Sequence, residues 1–217
     1  MNYVTRYGYN MVRLVPAVSM LIYISSCAVK PDSDLDSPEY HHKAGMRHVE
    51  MGQYTEALTS FNRATALDKK FAPAYAGMGI AHANLKNRKD AKKFANKAEG
   101  LAGKDPDVLT LCARVWIDLR HQEKKWYKDA GKLLKKALKR KKNHEGATYY
   151  TGELYLYQYE FSQAEDQFRK VVEMKGEYSA KADKMWQMSQ KIVRAMPGTP
   201  AGKKIALYEA ITRADLA

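Results

Sequence analysis

A chain of 217 residues, 45% apolar and 28% charged, has room for one ordinary domain or a short array of small repeats, with enough apolar material for a real core. Thirty-seven Lys and Arg against 24 Asp and Glu leave a net charge of +13, which excludes an acidic or disordered-tail protein and makes an anionic partner worth testing. Two cysteines exclude both a disulfide scaffold and a four-cysteine zinc site.

The first element is an address. Arg6 and Arg13 precede the apolar run from Leu14 to Ile24, the small residues Ser25 and Ser26 follow, and no acid occurs before Asp32. A charged segment, a short apolar core and a small-residue zone form an export signal, and the run is too short for a permanent span of about 20 residues. Met11 is an alternative start, since Met11-Val12-Arg13 makes a compact charged segment by itself. Ile24-Ser25-Ser26-Cys27 resembles the lipobox of bacterial lipoproteins, with Ile for the usual Leu and Ser for the usual Gly or Ala. That resemblance implies removal of residues 1–26 and lipidation of Cys27; an ordinary signal peptide with a chance cysteine is the other reading. Acyl chains would hold the protein on a membrane, each buried methylene contributing about 0.8 kcal/mol. Ala28, where Asp would signal retention at the inner membrane, favours the periplasmic face of the outer membrane. Residues 27–39, with Pro31, Asp32, Asp34, Asp36 and Pro38, lack periodicity and are expected to form a polar tether.

From residue 38 the chain repeats itself. Gly45 recurs as Gly79, Ala57 as Ala91, Ala64 as Ala98 and Leu67 as Leu101, each 34 residues on. A step of 39 then carries Ala91 and Ala98 to Ala130 and Ala137, and a further 34 reaches Ala164 and Val171, so one unit holds five extra residues between Ala113 and Ala130. The bulky slot steps from Phe61 through Ala95 and Leu134 to Phe168. Two antiparallel helices cross closely only where side chains are small, which explains Gly45, Gly79, Ala113 and Gly152 opposite those slots. The run from Gly52 through Tyr54, Ala57 and Phe61 to Ala64, and its second-best copy Tyr159 to Phe168, resemble the tetratricopeptide repeat (TPR) family over residues 38–178. The resemblance implies an all-α fold: a right-handed α-solenoid of about four helical hairpins, with units 38–71, 72–104, 105–144 and 145–178. The extra residues near His121–Lys125, between Trp116 and Trp126, predict longer helices or a bulging turn. Ala182, Met185, Trp186, Ser189, Ile192, Val193 and Met196 share a helical stripe and predict a capping helix over 179–196.

In the TPR family the first helix of each unit lines the inner surface that holds partner segments. Carried over, that places His42, Met46, Val49 and Glu50, then Ile80 and Asn84, then Tyr149, Glu153, Leu156 and Tyr157 in a protein-binding groove. Aromatics with polar tips are good anchors for such a segment; the other reading is that the tyrosine rings fill a wide gap between helices. Between Arg120 and Lys142 lie eleven Lys/Arg and two acids. Leu133, Leu134, Ala137 and Leu138 make the buried stripe there, leaving Lys132, Lys135, Lys136, Lys139 and Arg140 as a basic patch on the outer face. It is a solvated surface or a site for lipid phosphates or peptidoglycan carboxylates. Cys112 sits in an apolar stretch and reads as a core residue.

Pro197-Gly198-Thr199-Pro200 breaks the helical pattern, and a new apolar pattern begins with Ile205, Leu207, Tyr208 and Ile211. Thr212, Arg213 and Asp215 resemble part of the S-layer homology domain, a module that binds wall polymer; Thr212 to Asp215 equally suits a helix N-cap. No phosphate loop, nucleophile elbow or paired-histidine zinc motif is present, and His41, His42 and His48 are expected on an exposed helix without a second ligand group. Neither catalysis nor a cofactor is expected. Export excludes nucleic acid as a partner. The sequence reads as a lipid-anchored envelope adaptor that binds a protein or peptide, the alternative being a structural anchor to peptidoglycan or another anionic wall polymer, with the repeats as spacer.

Overall fold

The computed structural model describes residues 36–195 and 198–215, with side chains as far as Tyr208. The signal segment, Cys27 and most of the tether therefore lie outside the described residues, as do Met196 and the side chains of Thr212, Arg213 and Asp215. Among the described residues ten helices follow in order: α1 (Pro38–Glu50), α2 (Tyr54–Leu67), α3 (Ala72–Asn84), α4 (Arg88–Ala102), α5 (Pro106–Asp118), α6 (Trp126–Arg140), α7 (Glu145–Tyr157), α8 (Phe161–Met174), α9 (Ser179–Ala195) and α10 (Pro200–Asp215). Successive pairs form hairpins. The first helices α1, α3, α5 and α7 also pack on one another in sequence, and α9 covers α8. Among the described residues the fold is an all-α solenoid of four hairpins followed by two helices, α9 and α10.

The helix starts are chemically marked. Ser37 caps α1 by accepting from Tyr40 N, with Pro38 in the first turn. Asp105 caps α5 ahead of Pro106, accepting from Asp107 N at 2.8 Å. A side-chain acceptor at such a position satisfies amides that the helix itself leaves free, typically for about 1 kcal/mol.

The repeat slots form the core. Ala57, Ala91, Ala130 and Ala164 are fully buried, as are Ala64, Ala98, Ala137 and Val171; Phe61, Ala95, Leu134 and Phe168 fill the bulky slot. Truncating either Phe would remove a fully buried ring, a loss of about 3–5 kcal/mol. The 34-residue recurrence of Leu67 as Leu101 marks no core position, since Leu101 is exposed.

The insertion is a bulging turn. Residues 119–125 connect α5 to α6, where three residues suffice in the other hairpins. The turn folds back on the preceding unit: Gln122 Nε2 donates to Ala83 O at 3.3 Å, and Lys92 Nζ lies 2.8 Å from Glu123 Oε1. These bonds hold Glu123 below its ordinary carboxylate range, chiefly through the Lys92 hydrogen bond.

At the C-terminal end, α9 buries Ala182, Met188, Ser189 and Ile192, with Met185, Trp186 and Val193 partly buried. A helix N-cap at Thr212 does not occur, because Thr212 lies inside α10. The helix starts twelve residues earlier, where Pro200 supplies a pre-set φ and the Thr199 hydroxyl accepts from Gly202 N at 3.0 Å.

Candidate functional site: the first-helix face

A cavity of about 590 Å³ opens on the face built by the first helices. From α1 it is lined by His42, Lys43, Met46, Arg47 and Glu50, and from α5 by Asp107, Thr110, Leu111 and Arg114. His144, the α8–α9 connection with Glu177 and Tyr178, and Lys181 of α9 complete the wall. Its volume lies within the range of ordinary ligand pockets, about 300–1,000 Å³.

Two contacts close its rim. Lys181 Nζ reaches Glu50 Oε1 at 2.5 Å, joining α9 to α1 across 131 residues of sequence. His144 Nδ1 accepts from Ala147 N, so its Nε2 carries the proton and donates to Asp107 Oδ1 at 2.9 Å. The capping of α7 is thereby tied to the start of α5.

Deeper along the same face a polar cluster joins three units. Asn84 Nδ2 donates to Asp118 Oδ2 at 3.1 Å, and Arg114 Nε lies 3.9 Å from the same oxygen. Arg114 and Asp118 side chains are only 18% and 19% exposed. The Arg114 guanidinium faces the Tyr150 ring, and Tyr150 meets Tyr149 and Tyr178 edge to face while Tyr149 and Tyr178 lie tilted to each other. Burial pushes the Glu153 carboxyl up to about 7, reinforced by the nearby negative charge of Asp118 and opposed by Arg114. Asp118 is also raised by burial, against the pull of Arg114 and Asn84. Burial alone would lower the Arg114 pKa, yet the surrounding Tyr150, Asp118, Glu153 and Tyr178 raise it on balance, so it stays charged. The Arg120 guanidinium sits 4.2 Å from the Tyr157 ring centre, a cation–π contact.

The expected groove residues thus divide three ways. His42, Met46 and Glu50 line the cavity. Asn84, Glu153 and Tyr157 are partly buried within the polar and aromatic cluster. Val49, Ile80, Tyr149 and Leu156 are buried, and the groove assignment needs correcting for these four. Tyr149, for one, packs against Phe168 of α8 and against Tyr178, so packing takes it out of a partner's reach. The expectation that His42 lies on an exposed helix is likewise corrected: its ring packs 5.9 Å from both Phe61 and Phe71, and burial lowers its pKa to about 4.

Arg114, Thr110, Tyr178 and Lys181 were missed. The repeat would have found Arg114, which stands 34 residues beyond the groove candidate Ile80. Lys132, Lys135, Lys136, Lys139 and Arg140 are all exposed on α6 as expected, and Lys136 pairs with Glu99 at 2.7 Å. Among the described residues no three His, Cys, Asp or Glu gather as a metal site would require.

Comparison with known proteins agrees with this architecture. Residues 48–115 match the profile of the tetratricopeptide repeat family. The crystal structure of TTC0263, a thermophilic TPR protein in Thermus thermophilus, superposes with a TM-score of 0.60 at 14% identity, covering 81% of this chain and 99% of that one. Two structures of MamA, labelled MSR-1 and AMB-1, give TM-scores of 0.46 and 0.43, each at 16% identity and covering 82% of this chain and 98% and 90% of theirs. No curated protein sequence matches the chain. The fold class is a TPR-like α-solenoid, an architecture suited to protein interaction.

Proposed function

We propose that the protein is a non-catalytic adaptor of a bacterial cell envelope that holds a partner polypeptide on its first-helix face while a lipid on Cys27 keeps it at the outer membrane. The carrying observation is the cavity of about 590 Å³, where Met46, Leu111 and Tyr178 offer apolar contact between charged groups. A packed solenoid core needs no such opening, whereas a bound segment does. The address rests on Arg13, the apolar run and Ile24-Ser25-Ser26-Cys27.

A photo-crosslinking residue at Met46 tests the binding surface in intact cells, with the same residue at exposed Lys170 on α8 as the control. Capture of a partner from Met46 and not from Lys170 is expected; equal capture from both, or none from Met46, would sink the reading. Palmitate labelling lost in Cys27→Ser is the expected result for the anchor, and its retention would remove the proposed address.

A further inference from the structure

We infer that the outer face of α6 docks on a bilayer of anionic phospholipids, with Lys128, Lys132, Lys135 and Lys139 as the contacting groups. The inference goes beyond the adaptor reading and takes from it only the lipid at Cys27. On a helix of 3.6 residues per turn these four lysines share a sector of about 60° and a length of about 16 Å. The sector lies opposite the buried Ala130, Leu133, Leu134 and Ala137, and all four lysines are exposed. Asp129 is the only acid in α6, and it stands to one side of the line. Among the described residues the ion pairs of α6 are confined to Lys136 with Glu99, at 2.7 Å, so no acid reaches the four.

The repeat supplies its own comparison. Steps of 39 and then 34 residues back carry the same positions to Lys89, Lys93, Asn96 and Gly100 on α4, and to Thr55, Thr59, Asn62 and Ala66 on α2. A step of 34 forward reaches Ser162, Asp166, Arg169 and Glu173 on α8. Hairpin packing therefore asks for no charge on this line. Cations gather on it from α4 to α6 and give way to acids on α8, which marks one stretch of a repeating surface as a contact. Lysines are compact cations on flexible stems, suited to a plane of separate phosphates rather than to one planar anion held in a fork. The tether argues for the same surface. Arg63 of α2 holds Asp36, and the nine residue steps from there to Cys27 reach about 30 Å at most. A lipid on Cys27 thus keeps the array beside the head groups. Because α6 packs on α5, whose Thr110, Leu111 and Arg114 line the cavity, docking by α6 turns the cavity away from the bilayer and towards a partner.

The test uses the full chain carrying Cys27→Ser, which has no lipid, with vesicles of phosphatidylcholine alone or with about one third phosphatidylglycerol. Whatever the apolar N-terminal run contributes is common to both. Sedimentation should show at least about ten-fold tighter binding to the anionic vesicles, and about 0.5 M salt should abolish the difference. The combined variant Lys128→Gln, Lys132→Gln, Lys135→Gln and Lys139→Gln should lose most of the preference. A control that removes the same charge from exposed positions elsewhere, Lys170→Gln, Lys175→Gln, Lys184→Gln and Lys191→Gln, should keep it within about three-fold. Equal losses in the two variants would reduce the effect to net charge and overturn the inference, as would equal binding to both vesicles. Retention on isolated cell-wall polymer that exceeds vesicle binding and depends on the same four lysines would give the face to the wall and overturn the lipid assignment. Because the chain tested has no lipid, each result stands apart from palmitate labelling and from capture at Met46, which decide the adaptor reading.

Discussion

Gly152 on α7 lies so close to Phe168 on α8 that a Cβ there would come within 2.7 Å of the ring's Cε1 atom. Gly45 stands in the same relation to Phe61, where a Cβ would come within 2.5 Å, and a Cβ on Gly77 would come within 2.4 Å of the same ring. Both rings are fully buried, so neither has space into which to retreat.

Gly152→Ala and Gly45→Ala are therefore expected to lower stability by about 1–3 kcal/mol through overpacking, which outweighs the roughly 1 kcal/mol that Ala gains over Gly in a helix. Gly100, in α4 with nothing within 4 Å of its would-be Cβ, has only the second effect, and Gly100→Ala should stabilise by about 0.5–1 kcal/mol. Urea midpoints measure all three. A rise for Gly152→Ala would show that the hairpins do not approach through glycine.

Three of the four hairpin turns place one residue in the left-handed region: Gly52 (φ 73°), Lys86 (φ 59°) and Tyr159 (φ 64°). Only glycine adopts that conformation without steric cost. Lys86 is exposed, so Lys86→Gly should raise stability by up to about 1 kcal/mol, while Gly52→Ala should lower it by a similar amount. Thermal melts of the two variants should move in opposite directions; movement in the same direction would contradict the turn geometry.

Stability should respond to pH through two buried groups of opposite sense. Glu153 titrates at about 7 when folded against an ordinary value of 4.5, so the native state holds an extra proton between those values and stability falls as pH rises through that window. Asp118, Arg114, Arg120 and Tyr149 face it and set the size of the effect. His42, lowered to about 4 from 6.5 by burial, with Glu39 raising it and Lys43 lowering it further, makes the unfolded state bind more protons, so stability falls as pH drops below 6.5. Relative to the native chain, Glu153→Gln should gain on the order of 1–3 kcal/mol between pH 5 and 8. Parallel curves for the two proteins would remove Glu153 from the account.

The Cys112 thiol donates weakly to Ala95 O, and burial pushes its pKa up to about 12. A thiol so rarely ionised and so enclosed is unreactive. Labelling of Cys112 by a thiol reagent at pH 8 should be at least about a hundred-fold slower in the native state than in 6 M urea. Comparable rates would mean that the α4–α5 packing opens readily.

How far the sequence alone could be read depended on what repeats. Ala57, Ala91, Ala130 and Ala164 recur because every hairpin needs the same small residue where its two helices cross, so a 34-residue step exposed the hairpins, the turns and the place of the insertion. Close contact within one hairpin is a local demand, written afresh in every unit. Which first-helix residues meet solvent is a different matter. Met46 and Val49 lie less than one turn apart on α1, yet the first lines the cavity and the second is covered by packing.

The cavity itself belongs to no unit. Lys181 meets Glu50 across 131 residues, and Asn84, Asp118, Arg114 and Tyr150 join three hairpins in one polar cluster. Such groups differ from unit to unit and leave no periodic trace; they come together only when stacking carries the ends of the array towards each other. The sequence by itself determined the helices and their pairing, because those follow from side-chain size at short range. Only the tertiary structure decided which charges share a desolvated space, because that depends on how one unit sits on the next.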